Sequence, residues 1–148
     1  MAAGTVKWYG NAPQAFMNKE VDLLTDSIKV ALTTVTYVPA QDTDDYFNDV
    51  TNEVTGTAYV AGGAAIANDT LTYTAGTNVM KYDGDDVTWA TATITGARVA
   101  VIYDSTPGTA ATNPLIGYCI FDGDVSPSAG NLTITWDAAG ILTLTAAA

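Results

Sequence analysis

Residues 97–103 alternate at a spacing of two. Ala97, Val99, Val101 and Tyr103 fall on one face, and Arg98, Ala100 and Ile102 on the other. Both faces are largely apolar, so the segment is predicted to be a central strand covered on both sides, not a solvated edge. Just before it, Val87 and Trp89 share a face of a second predicted strand, introduced by the turn-forming run Asp83-Gly84-Asp85-Asp86. Any fold for this chain has to be built around that pair.

The same pattern recurs along the chain. Ile28, Val30 and Leu32 alternate with Lys29, Ala31 and Thr33, predicting a strand over residues 27–35, with Pro39 beyond its end. Residues 56–60, 64–67, 70–74 and 79–82 read as further short strands, separated by Gly62-Gly63, Asn68-Asp69 and Ala75-Gly76-Thr77-Asn78. A buried strand is expected over residues 115–121. Leu115, Gly117, Cys119 and Phe121 would share one of its faces, and Ile116, Tyr118 and Ile120 the other. Residues 131–136 and 141–145 are predicted to form a hairpin closed by Asp137-Ala138-Ala139-Gly140.

Two helical candidates precede these strands. One is residues 12–19, with Pro13 in the first turn; the other is residues 41–50, capped by Asp42 or Thr43 with Tyr46, Phe47 and Val50 turned inward. A loop with one helical turn suits residues 41–50 nearly as well. The expected fold is all-β, a mainly antiparallel β-sandwich or small barrel, with one or two short helices in the N-terminal third. At 148 residues, with no linker or internal repeat, one domain over residues 1–148 is expected.

Charge narrows the function. Five basic residues against sixteen acidic ones leave a formal charge of −11, and Lys7, Lys19, Lys29, Lys81 and Arg98 are scattered singly. Phosphate backbones and anionic bilayers both require clustered cations, so neither nucleic acid nor a membrane surface is an expected partner. No apolar run approaches the length of a membrane span, and the first residues lack the basic-then-apolar pattern of a secretory leader. Synthesis in the cytoplasm is expected.

The chain has no histidine, which removes Ser-His-Asp and Cys-His pairs, imidazole metal sites and the commonest general base. Cys119, the only cysteine, lies in an apolar run and reads as a small buried hydrophobe. Glycoside hydrolysis needs only two carboxylates, and Asp44, Asp45, Asp85, Asp86, Asp104, Asp122 and Asp124 are its candidates. Aspartates in such polar runs more often shape turns, so no catalytic residue is assigned. Asp42-Thr43-Asp44-Asp45 and Asp83-Gly84-Asp85-Asp86 have calcium-loop composition without the twelve-residue pattern or its closing glutamate, and no metal site or cofactor is expected. Trp89 and Trp136 share faces with aliphatic residues and read as core rather than sugar-stacking platforms. Trp8 reads as an interface residue. Arg98, mid-strand among many carboxylates, is assigned a structural ion pair.

Several stretches resemble one family. Lys7-Trp8-Tyr9-Gly10-Asn11, Ile28-Lys29-Val30-Ala31-Leu32, Gly56-Thr57-Ala58-Tyr59-Val60-Ala61-Gly62-Gly63 and Asp83-Gly84-Asp85-Asp86-Val87-Thr88-Trp89 are similar to small virion proteins of tailed bacteriophages. So are Ala97-Arg98-Val99-Ala100-Val101-Ile102-Tyr103, Pro114-Leu115-Ile116-Gly117-Tyr118 and Ile134-Thr135-Trp136-Asp137-Ala138-Ala139-Gly140-Ile141-Leu142. The resemblance spans most of the chain and implies a structural component of the particle, not an enzyme. Capsid decoration, head-fibre and minor tail proteins all fall within it.

The reading favoured here is a capsid decoration (cement) protein on the capsid surface. It would bind the assembled shell and stabilise it by mass action. Its expected partners are the major capsid protein and copies of itself, with a trimer favoured where shell subunits meet. Residues 2–11 are the expected contact arm, through Val6, Trp8 and Tyr9. The alternative is a minor tail or fibre module that attaches to the host surface. A carbohydrate-binding module of an enzyme would call for a linker and a partner domain.

Overall fold

The computed structural model describes residues 4–147. In chain order its elements are β1 (Lys7–Trp8), α1 (Ala12–Met17), β2 (Ile28–Thr33), a 3-10 turn (Phe47–Asp49), β3 (Gly56–Thr57), β4 (Ala64–Ala65) and β5 (Thr70–Thr74). There follow β6 (Val79–Asp83), β7 (Val87–Ile94), β8 (Ala97–Asp104), β9 (Leu115–Val125), β10 (Gly130–Ile134) and β11 (Leu142–Thr145). The fold is mainly antiparallel β, in three sheets ordered β1-β9-β8-β2-β4, β10-β7-β3 and β11-β6-β5.

The alternating segment forms β8, which sits between β9 and β2 with every residue buried except the half-buried Arg98. Its two faces feed two separate cores. Ala100 and Ile102 join Ile28, Val30 and Leu32 of β2 in the larger core, which also receives Val87, Trp89 and Ile94 of β7 and Leu132 and Ile134 of β10. Val99, Val101 and Tyr103 face the other way, onto Tyr9, Ala31, Tyr37, Leu115 and Tyr118, with Phe47 and Val50 packed alongside. Burying a large aliphatic side chain contributes about 1.5–3 kcal/mol, so this doubly covered strand accounts for a large share of the stability.

Strict alternation fails at two places, each beside a bulge. The β8–β9 register shifts between Ala97 and Val99, and Ala97 belongs to the larger core and not to the Val99 face. It shifts again where Ile102 pairs Gly117 and Tyr103 pairs Leu115. The unpaired Ile116 swings into the larger core with Cys119 and Phe121, while Leu115 joins Tyr118 in the smaller one. An extra residue in one strand reverses the faces beyond it, so the predicted partition of residues 115–121 does not hold.

The predicted hairpin of residues 131–136 and 141–145 does not form. β10 pairs with β7 and β11 with β6, so the two strands enter different sheets. The reason lies in the opposite segment. β6 and β7 are consecutive and part at Gly84-Asp85-Asp86, and the returning chain turns the same corner. Trp136 holds that corner: its backbone N–H donates to Asp86 Oδ1 (3.1 Å) and its indole N–H to the Asp85 carbonyl (3.0 Å). Ile141 N–H then donates to the Tyr82 carbonyl (2.9 Å), starting β11 alongside β6. The result is a two-stranded ribbon folded once.

Of the two helical candidates, α1 forms and stops two residues short of Lys19, which adopts a left-handed φ of 60°. Over residues 41–50 only the 3-10 turn is helical. Hydrogen bonds hold the loop before it: Asp44 Oδ2 accepts from Ala40 N–H and from Tyr37 Oη–H, both at 2.9 Å. The Phe47 ring stacks on Tyr103, with centroids 4.0 Å apart. Gly63 has a φ of 74°, and a Cβ there would strike the Val30 carbonyl oxygen, so only glycine allows β4 to lie against β2.

Candidate interaction surface

The N-terminal residues proposed as a contact arm are built into the fold. β1 pairs with the edge of β9, Lys7 opposite Tyr118 and Trp8 opposite Gly117, and Tyr9 N–H donates to the Ile116 carbonyl. Tyr9 has no exposed surface; its hydroxyl is 2.8 Å from the Tyr37 hydroxyl, and its ring lies against Tyr118. A residue so placed cannot reach a partner while the chain stays folded. Burial and the Tyr37 hydroxyl push its pKa well above the usual phenol value. Val6 is half-buried against the larger core. Trp8 is also half-buried, meeting Phe16 edge-on at 5.6 Å and donating its indole N–H to the Thr143 carbonyl (3.2 Å). Residues 2 and 3 of that arm lie outside the described residues.

Trp8 leads to an open apolar face. In the sheet β11-β6-β5, Leu71 pairs Tyr82 and Tyr73 pairs Met80 on one side, while Leu142 pairs Tyr82 and Leu144 pairs Met80 on the other. These six side chains share one face, and Thr70, Thr72, Thr74, Lys81, Thr143 and Thr145 occupy the opposite one. Tyr82 and Leu142, near the corner, are buried. Farther out the face opens: Leu71 is 40% exposed, Tyr73 54% and Leu144 58%. Between this face and the segment around α1 lies a groove of about 570 Å³, lined by Trp8, Phe16, Leu23, Leu71, Met80 and Leu144 among others.

The alternation of residues 70–74, 79–83 and 142–145 announces strands with one apolar face. Which face stays uncovered depends on β11 crossing from the β10 side of the corner to pair with β6, and that pairing has no signature in the sequence. Leu71, Tyr73, Met80 and Leu144 were therefore not recognisable as surface.

The carboxylates serve as internal acceptors. Tyr59 Oη–H donates to Glu53 Oε1 (2.7 Å), which also accepts from Gly62 N–H (2.5 Å). Tyr82 Oη–H donates to Asp69 Oδ1, and Asn68 donates to Asp85 Oδ2 (2.6 Å). Asp85 and Asp86 belong to the Trp136 corner, and Asp44 and Asp45 to the loop beside α1. Asp122 and Asp124 lie on the exposed end of β9, where Arg98 Nη1 is 3.5 Å from Asp124 Oδ1. Among the described residues no three acidic or thiol side chains gather as a metal ion would require. Cys119 is buried, and that burial pushes its thiol pKa up to about 12.

One acid stands apart. Asp104, at the end of β8, is fully buried. Its Oδ1 accepts from Thr106 N–H (2.8 Å), while among the described residues no N–H or O–H donor reaches Oδ2 and the Asp26 carboxyl lies close by. Burial first, then the nearby Asp26 carboxylate, raises its pKa.

A separate polar cleft of about 160 Å³ is lined by Asn11, Gln14, Asn18, Glu20, Asp45 and Tyr46 among others. No protein-family model matches the chain, and no curated protein or solved structure matches it either.

Proposed function

We propose that this chain is a structural virion protein of a tailed bacteriophage, a capsid decoration protein that binds the assembled shell and stabilises it. The observation that carries this reading is how the side chains are divided. Glu53, Asp44, Asp69 and Asp86 accept hydrogen bonds that fasten loops to the cores, while the outer face of β11-β6-β5 leaves Leu71, Tyr73, Met80 and Leu144 open. Acids held in that way maintain shape, and a contiguous apolar face is what an attachment protein needs. The resemblance adds to this, because most of the stretches that carry it map onto β2, β7, β8, β9 and the Trp136 corner. The partners in this reading are the major capsid protein and further copies of the chain, on the capsid surface.

Contact falls to the open face and to Trp8, and not to Tyr9. Removing residues 2–11 would take a core side chain as well as β1, so it cannot separate docking from folding. Leu144→Asp is the cleaner variant, since Leu144 projects into solvent. Purified protein is expected to bind expanded, undecorated shells and to raise their disassembly temperature, with Leu144→Asp weakening both effects. Counting copies per virion by quantitative mass spectrometry decides the site. Hundreds place the chain on the shell, and a handful overturn that placement.

The second reading, a tail or fibre module that attaches to the host surface, draws on the polar cleft. Amides from Asn11, Gln14 and Asn18, carboxylates from Glu20 and Asp45, and the Tyr46 ring are the groups that hold a saccharide. Glycan-array binding lost on Asn18→Ala would favour it.

A further inference from the structure

The edges of the three sheets are not alike. β1, β3 and β4 have two residues each, too short to template another strand. β10 shifts register between Gly130 and Leu132, and β11 has Trp8 against its Thr143 carbonyl. β5 has none of these guards. Its five residues, Thr70-Leu71-Thr72-Tyr73-Thr74, are all exposed and pair with β6 in unbroken register. No charged side chain or proline occurs from Thr70 to Met80, between Asp69 and Lys81. Natural sheets normally protect such an edge with a lysine, a proline or a bulge.

Charge selects the occupant. A chain of net charge −11 repels its own copies, but β5 carries no charged side chain from Thr70 to Thr74, so no like charges meet along that edge. A strongly charged partner would find nothing complementary there.

We propose that β5 pairs with β5 of a second copy, antiparallel about a two-fold axis through Thr72, joining two three-stranded sheets into one of six. The pattern of the strand fits its own reversal. Leu71 falls opposite the second copy's Tyr73, Thr70 opposite its Thr74, and Thr72 opposite its Thr72. Aliphatic–aromatic and threonine–threonine pairs of this kind stabilise antiparallel strands. The apolar faces of the two sheets become continuous, and Leu71 and Tyr73 of each copy cover one another. Asp69 falls opposite Ala75, so no like charges meet. Sliding one strand by two residues sets Asp69 against Tyr73 or Leu71 against Ala75, which loses the match.

The contact is small beside the roughly 800 Å² per partner of a standard interface, so pairing is reversible in dilute solution and fills where copies are crowded. It does not rest on the virion reading. It is also isologous, making pairs where that reading expects threefold sets.

Thr72→Cys tests it, because the only other thiol, Cys119, is buried. Oxidised at high protein concentration, Thr72→Cys is expected to give a disulfide-linked dimer, whereas Thr145→Cys, on the same face but at the opposite edge, gives none. Sedimentation of the unmodified chain is expected to show a concentration-dependent monomer–dimer equilibrium. Thr72→Glu places two carboxylates opposite each other across the two-fold axis while facing Lys81 on its own β6, and is expected to weaken that equilibrium at least about tenfold, with unchanged circular dichroism. A chain that stays monomeric at its solubility limit, with Thr72→Cys no better cross-linked than Thr145→Cys, overturns the proposal. So does self-association that Thr72→Glu leaves intact, because the contact then lies elsewhere.

Discussion

The sheet built around β8 and the sheet built around β6 use similar residues to opposite ends. β8 carries Val99, Val101, Ile102 and Tyr103, all buried, because the sheet has a core on each side. β6 and its neighbours carry Leu71, Tyr73, Met80 and Leu144, all exposed, because their apolar face runs out past the folded corner where the core ends. Coverage is set by topology. The difference teaches that the first sheet answers for stability and the second has surface to spare for contact.

The comparison is most sharply broken at Ile102. This side chain is fully buried in the larger core, beside Val30 of the neighbouring β2. Ile102→Ala is expected to destabilise the fold by about 2–5 kcal/mol, from lost burial plus the cavity left behind. Urea unfolding at constant m-value measures it. A cost below 1 kcal/mol, in the same units of order as a surface change, would mean β8 is not the stable centre.

Asp104 sits at the end of the same strand and should respond in the opposite direction. Its raised pKa means the folded state binds more protons than the unfolded one between the ordinary carboxylate value, about 3.9, and the raised value. Its contribution to stability is therefore most favourable at low pH and declines as pH rises through that window. Asp104→Asn keeps an oxygen for Thr106 N–H, removes the buried charge and presents an N–H donor to the neighbouring Asp26 carboxylate. At neutral pH it is expected to stabilise by about 1–2 kcal/mol and to flatten the pH dependence of the melting temperature. A lower melting temperature than the parent at neutral pH would count against this account.

Thr33 is a smaller case of the same kind. It is fully buried at the end of β2, and its Oγ1 has no hydrogen-bond partner among the described residues. Thr33→Val keeps the shape and removes the unpaired hydroxyl, and is expected to raise stability by about 1 kcal/mol. Calorimetry on the purified variant checks the sign.

What could be read beforehand follows from the same contrast. The period-two run of residues 97–103 was legible because a strand apolar on both faces has few places to go. Ile28, Val30 and Leu32 were legible for the same reason, and Trp89 and Trp136 reach the core their neighbours indicate. The bulge at Ile116 was not, since one extra residue leaves no local mark yet reverses a face. The β10–β11 hairpin failed because Asp137-Ala138-Ala139-Gly140 looks like a reversal turn, while its actual course depends on Trp136 bonding to Asp85 and Asp86, fifty positions away in the chain. Candidate contact residues fared similarly. Trp8 reaches the open groove, but Tyr9 is drawn inward by Tyr37 and Tyr118, which no spacing rule connects to it.

Leu144 provides the smallest and most discriminating effect. It is the same class of residue as Ile102, in a regular antiparallel strand opposite Met80, yet more than half of its surface meets solvent. Leu144→Ala removes little buried area and opens no closed cavity, so the expected cost is about 0.5 kcal/mol or less. Measured beside Ile102→Ala under the same denaturant conditions, it tests whether the β6 sheet is a passenger on the β8 core. A cost approaching that of Ile102→Ala would show that the open face is covered in solution, and the place to look for the cover is a second copy of the chain. If the cost then grows with protein concentration, unfolding is linked to dissociation, and the face is an interface and not a free surface.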